Sequence, residues 1–124
     1  MTDRGLRALG TALALVAAAV HLALFTSDLV PGETTTVPAF AAMGLGLAGC
    51  AVVLALGRRD LYEPVPIYAG VLVLAWAWTR TQYPVEVFGI VADSAELALI
   101  AVTIVLIRRA DARRTVGRGR GKAA

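Results

Sequence analysis

Cysteine and histidine each occur once in this 124-residue chain, as Cys50 and His21. A single cysteine excludes an internal disulfide and any metal site built on several thiolates. A single histidine excludes haem held by two imidazoles of one chain. Charged residues are also scarce, at 17%, against about 25% in an ordinary soluble domain. No run of about ten residues alternates apolar with polar, which argues against a membrane β-barrel. Aromatics make up 6%, and none is interleaved with the C-terminal basic run, so nucleic-acid binding is not expected. A serine-hydrolase elbow, a phosphate-binding Walker loop and a paired zinc signature are all missing.

What remains is strongly apolar. Hydrophobic residues make up 58% of the chain and the mean hydropathy is +0.72. The usual apolar share is about 45–50%. The excess falls into four runs: about Leu6 to Phe25, Pro38 to Gly57, Val65 to Thr81, and Val87 to Ile107. About 20 apolar residues carry a helix across roughly 30 Å of hydrocarbon. Pro38, Pro64, Pro66 and Pro84 stand at or near the starts of runs two, three and four, where the missing N–H costs nothing. Thr34, Thr35 and Thr36 offer cap oxygens before run two. The connections 26–37, 58–64 and 82–86 are short, and short links favour antiparallel neighbours. The expected fold is all-α: a transmembrane up-down-up-down four-helix bundle over residues 1–109, with a disordered basic tail over 110–124.

Charge gives the expected orientation. Arg4 and Arg7 precede run one, Arg58 and Arg59 follow run two, and Arg108 to Lys122 follow run four. With both termini in the cytoplasm of a cell membrane, eleven of the 12 basic residues lie inside and only Arg80 lies toward the outside. The start "RGLRALGTALALVAAA" resembles a signal peptide. The apolar run continues through "VHLALF", longer than a typical signal core, so an uncleaved span is expected. The tail "RRADARRTVGRGRGKAA" reads as a stop-transfer anchor with a solvated end, although anionic lipid would attract it.

The polar groups inside the runs carry the candidate site. Asp93 and Glu96 are three residues apart and share a helix face. Counted from Val87, Asp93 lies roughly 9 Å and Glu96 roughly 13 Å from the outer end. An ionised acid at such depth costs about 2.5–3.5 kcal/mol, and desolvation disfavours its charged form. Both acids should therefore face the bundle interior. His21 and Arg80 stand near the outer ends of runs one and three, and with Asp93 and Glu96 they form a candidate buried polar cluster. A cluster of this kind can serve a function, or can simply fix helix order and rotation. Trp76, Trp78 and Tyr83 mark an outer interfacial belt. His21 with the two acids matches no metal motif, and neither a metal nor a cofactor is expected. Recasting Asp93, Ser94 and His21 as a hydrolase fails for want of an oxyanion hole.

"GLGLAG" at Gly44 to Gly49 matches a dinucleotide fingerprint in form only. It lies inside an apolar run with no preceding strand. A packing reading fits better, because Ala42, Gly46 and Cys50 recur every four residues, as do Gly10, Ala14 and Ala18 in run one. Such stripes let helix backbones approach closely in lipid.

Three stretches, "HLALF", "GRRDLYEPVPIYAG" and "VADSAELALI", resemble a set of small four-helix membrane proteins of haloarchaea, over most of the chain up to about Arg109. The resemblance implies a fold and a membrane address and no reaction. Members of that set often carry a basic residue where Asp93 stands, so an ion pair within the fourth run does not transfer. Small DoxX-type bundles share the shape alone. The expected function is that of a non-catalytic membrane protein, structural or a complex subunit, and not an enzyme. The alternatives are an oligomeric proton- or ion-coupled carrier using the buried carboxylates, and a redox subunit holding quinone or haem. Expected partners are membrane lipids and a second membrane-embedded chain, whether another copy or a complex partner.

Overall fold

The computed structural model describes residues 1–26, 37–79 and 87–123. Among them lie four α-helices and no strand: α1 (Asp3–Thr26), α2 (Val37–Leu56), α3 (Pro64–Thr79) and α4 (Val87–Ala123). A 3-10 turn, Arg59–Leu61, joins α2 to α3. All four helices are long and apolar enough to cross a membrane. Their boundaries fall within a few residues of the apolar runs, apart from the C-terminal end of α4.

Local chemistry sets the helix ends. Thr2 caps α1, its hydroxyl accepting from the Gly5 N–H at 3.1 Å. Asp3 in the first turn complements the positive end of the helix dipole. At the end of α2, Gly57 takes φ +68, a region that costs a residue with Cβ but not glycine. Its N–H donates to the Leu54 carbonyl at 3.1 Å and the Arg58 N–H to the Val53 carbonyl at 3.3 Å. These two bonds form a Schellman cap and satisfy carbonyls the helix would leave open. The Arg7 guanidinium lies where a Cβ on Gly57 would stand, and its Nη2 donates to the Ala55 carbonyl at 3.4 Å.

Helix α1 is central. It packs against α2 and α4, α4 also packs against α3, and α2 and α3 touch only sparsely. Small residues make the close approaches possible. A Cβ on Gly10 would sit 3.0 Å from a Leu54 methyl and 3.3 Å from a Val102 methyl. One on Gly44 would meet Leu22 at 2.7 Å and the Ala18 carbonyl at 3.2 Å. The core comprises Leu6, Ala14, Ala17, Leu47, Leu54, Val65, Ala69, Leu99 and Leu106 among others. Its small α1 residues bring α2 and α4 in together. Outward faces are apolar as well: Leu45, Leu56, Ile67, Leu74 and Trp78 are each exposed by 65% or more.

Tyr68 spans the sparse α2–α3 seam. Its hydroxyl lies 3.3 Å from the Ala42 carbonyl and 3.2 Å from the Met43 carbonyl, and donates to them. Its ring occupies the space above Gly46. The stripe Ala42, Gly46, Cys50 therefore seats an aromatic side chain from α3, while α1 packs on Gly44 and Leu54.

The tail departs from expectation. Residues 110–123 are helical and continue α4, where a disordered segment was expected. Extending a helix already formed costs far less than starting one, and Ala and Arg rank among the good helix formers. Asp3 adds ties across to α1, meeting Arg109 at 3.3 Å and Arg113 at 2.9 Å. Gly117, Gly119 and Gly121 oppose the extension, at about 1 kcal/mol each relative to alanine.

Gly46→Val places atoms where the Tyr68 ring stands. A loss of about 1–3 kcal/mol is expected in detergent unfolding, and Tyr68→Ala in the same chain should recover part of it. Additive losses would contradict the seat.

Candidate functional site

Inward-facing positions of α4 recur at helical spacing. Ala92, Asp93, Ala95, Glu96, Leu99, Val102, Thr103 and Leu106 are buried, while Ser94, Leu97 and Ile104 are exposed. Asp93 and Glu96 therefore sit on the face that packs against the other helices. Asp93 retains 7% of its surface and Glu96 only 1%. On α1, His21 falls on the same face as Ala14, Ala17 and Ala18 and retains 8%. The small residues before it let α1 come near enough to α4 for the imidazole to reach across.

The imidazole and the Glu96 carboxylate meet with Nε2 3.8 Å from Oε1. That separation is an ion-pair distance, too long for a direct hydrogen bond. Glu96 Oε1 has no hydrogen-bond partner among the described residues. On its other side the ring lies 2.9 Å from the Ala17 carbonyl through Nδ1. A carbonyl only accepts, so Nδ1 carries a hydrogen and donates. The Phe40 ring of α2 stands over the imidazole, with centroids 6.3 Å apart at 50°. Three helices thus enclose the pair, with α1 supplying the base, α4 the acid and α2 an apolar wall.

Of the four residues expected to form the polar cluster, the structure brings His21 and Glu96 together and buries Asp93 one turn of α4 away. Arg80 lies outside the described residues, as does Tyr83. Trp76 is half-buried and Trp78 is 74% exposed. Nδ1 of His21 is committed to the Ala17 carbonyl, and Nε2 faces the Glu96 carboxyl at 3.8 Å. Ser94 points outward and donates to the Ile90 carbonyl at 2.7 Å, so it is remote from His21 chemistry. No group of three or more metal-ligating side chains occurs among the described residues.

One buried polar residue was not anticipated. Thr103 is fully buried, and its hydroxyl donates to the Leu99 carbonyl at 2.8 Å and lies 3.0 Å from that of Ile100. Its bonds close within its own helix, so it fits an apolar core at little cost. Its spacing of seven from Glu96, two helical turns along one face, was the available signal.

No protein-family model, curated protein or solved structure matches the chain. The resemblance to the haloarchaeal proteins accordingly stands on its quoted motifs alone.

His21→Ala removes the partner of a fully buried acid and opens a cavity. A loss of about 3–5 kcal/mol is expected. Thr103→Val breaks bonds made only within α4 and should cost no more than about 1 kcal/mol. Denaturation of the purified protein in detergent checks both values, and equal losses would contradict the distinction.

Proposed function

We propose that the chain is a multi-pass protein of the cell membrane, non-catalytic, acting as a structural component or as a subunit of a membrane complex. The carrying observation is the combination of four span-length helices with apolar outward faces and ionisable groups turned inward. A helix in water places polar residues outward, whereas here Leu45, Leu56, Ile67 and Leu74 face out.

An up-down-up-down arrangement is supported by residue pairs along the helices. Arg7 reaches Ala55 at one end of α1 and α2, and Leu22 lies against Gly44 at the other. Asp3 meets Arg109 and Arg113, while His21 meets Glu96. Both comparisons run in opposite chain directions. Arg4, Arg7, Arg58, Arg59, Arg108 and Arg109 then share one side, and the positive-inside rule makes it the cytoplasm.

The subunit reading follows from how the polar chemistry is spent. His21 and Glu96 hold α1 to α4, and the Tyr68 hydroxyl holds α3 to α2. A partner would be met through the apolar outward faces and the sparse α2–α3 side. A second reading, an oligomeric ion-coupled carrier, is favoured by one observation: the His21–Glu96 pair lies within the span and not at its ends. Glu96→Gln separates the two readings in proteoliposomes. Unchanged flux with altered thermal stability supports the subunit, and abolished flux at normal stability supports the carrier.

The threading is checked by Thr34→Cys in a Cys50→Ala chain, with a membrane-impermeant maleimide. Alkylation from the outer side is expected, and alkylation solely from the cytosolic side contradicts the proposed orientation.

A further inference from the structure

Three facts restrict the hydrogens at the centre of the bundle. Nδ1 of His21 donates to the Ala17 carbonyl. Nε2 therefore faces Glu96 Oε1 either as a bare lone pair or with a second hydrogen. Oε1 is buried without a hydrogen-bond donor among the described residues, 3.8 Å from that nitrogen.

Three occupancies of this contact are possible. With no proton, a neutral imidazole lone pair faces a carboxylate. Two acceptors then oppose each other, and one negative charge is left without water. With two protons, an imidazolium faces a neutral acid, and one positive charge is left in the same place. With one proton, the pair carries no net charge and a donor faces an acceptor. That proton can sit on Nε2, giving imidazolium and carboxylate, or on the carboxyl, giving imidazole and acid. Transfer from Nε2 to Oε1, once the two atoms close from 3.8 Å to hydrogen-bond distance, breaks one N–H bond and forms one O–H bond, with no change in total charge.

The geometry points to a proton-binding site between α1 and α4, in which His21 Nε2 and Glu96 Oε1 together hold a single proton. The surrounding titratable groups come from each packed helix. Asp93 lies on α4 itself, Cys50 on α2, and Tyr68 on α3, within electrostatic reach of both Cys50 and Glu96. The Tyr68 hydroxyl is turned to the Ala42 and Met43 carbonyls, so it does not supply the missing donor. Thr103 is likewise committed to Leu99 and Ile100. Binding the proton links the two helices, since either helix alone leaves a desolvated acid or base. The site supplies the ion of the carrier reading, and a subunit that transports nothing can hold it equally. It rests on the burial of the pair and not on the direction in which the helices cross.

His21 is the single histidine of the chain, so a 15N-histidine spectrum reports this ring alone. Protein labelled with 15N-histidine and 13C-carboxyl glutamate is examined near neutral pH, in detergent and in liposomes. Nitrogen NMR reads whether Nε2 is protonated, and infrared difference against Glu96→Gln reads whether the carboxyl is. The expected result is a hydrogen on Nδ1 and one of the two other signals, imidazolium or neutral acid, with summed occupancy near one. Glu96→Gln should lose the carboxyl band and leave the imidazole neutral. Occupancy near zero or near two overturns the site, as does a neutral ring with its hydrogen on Nε2. Should Glu96→Gln fail to fold, the carbon spectrum of the wild-type chain gives the same count, because an acid buried beside His21 responds to pH apart from an exposed one such as Glu63. Failure of the Thr34→Cys labelling would leave this result standing, so the two ideas fail separately.

Discussion

Hydrocarbon does not hydrate charge, and in the membrane setting proposed above that constraint governs how these helices can be arranged. Glu96 lies midway along an apolar stretch and retains 1% of its surface. Once it is turned inward, α4 has one rotation, and its remaining inward positions follow at helical spacing. His21 then comes from α1, which approaches α4 closely where Gly10 faces Val102 and Leu99. On the membrane reading proposed above, the pair at 3.8 Å follows from a solvent that gives an acid nowhere else to go.

Close packing supplies the rest of the specificity. Lipid tails are as apolar as leucine, so helices in a bilayer gain little from burying apolar surface against one another and depend on fit. Gly10 and Gly44 allow α1 to lie close against its neighbours, where a Cβ would crowd Leu54 and Val102 at the first and Leu22 at the second. Gly46 makes room for a ring and not for a backbone, and Tyr68 fills it while donating to carbonyls of α2. The α2–α3 seam is held by this one side chain far more than by interdigitated helix faces, so it is the side on which the bundle is least closed.

The four apolar runs were legible because length and hydropathy alone decide whether a helix can span. The inward turn of Asp93 and Glu96 was legible from the cost of charge in hydrocarbon, whereas His21 was expected only as one member of a cluster of four with Arg80, and its pairing with Glu96 was not singled out. The seat beneath Tyr68 was not. A stripe of small residues at i, i+4 and i+8 says that something comes close, and it does not say whether that is a backbone or an aromatic ring. The helical state of 110–123 was hidden by composition. Arginine, glycine and small residues read as a solvated chain, whereas a helix continued from the span needs no new nucleus and gains the Asp3 contacts. Thr103 passed unnoticed because a threonine satisfied within its own helix leaves no mark in a hydropathy profile.

The inward turn of Glu96 onto His21 is the claim on which the account stands. A chain with His21→Cys and Glu96→Cys in a Cys50→Ala background, embedded in membranes and treated with a short thiol cross-linker, tests it directly. The account predicts efficient intramolecular joining of α1 to α4 and protection of position 96 from a lipid-soluble alkylating reagent. Absence of the cross-link, together with rapid modification of position 96 from the lipid phase, would contradict it.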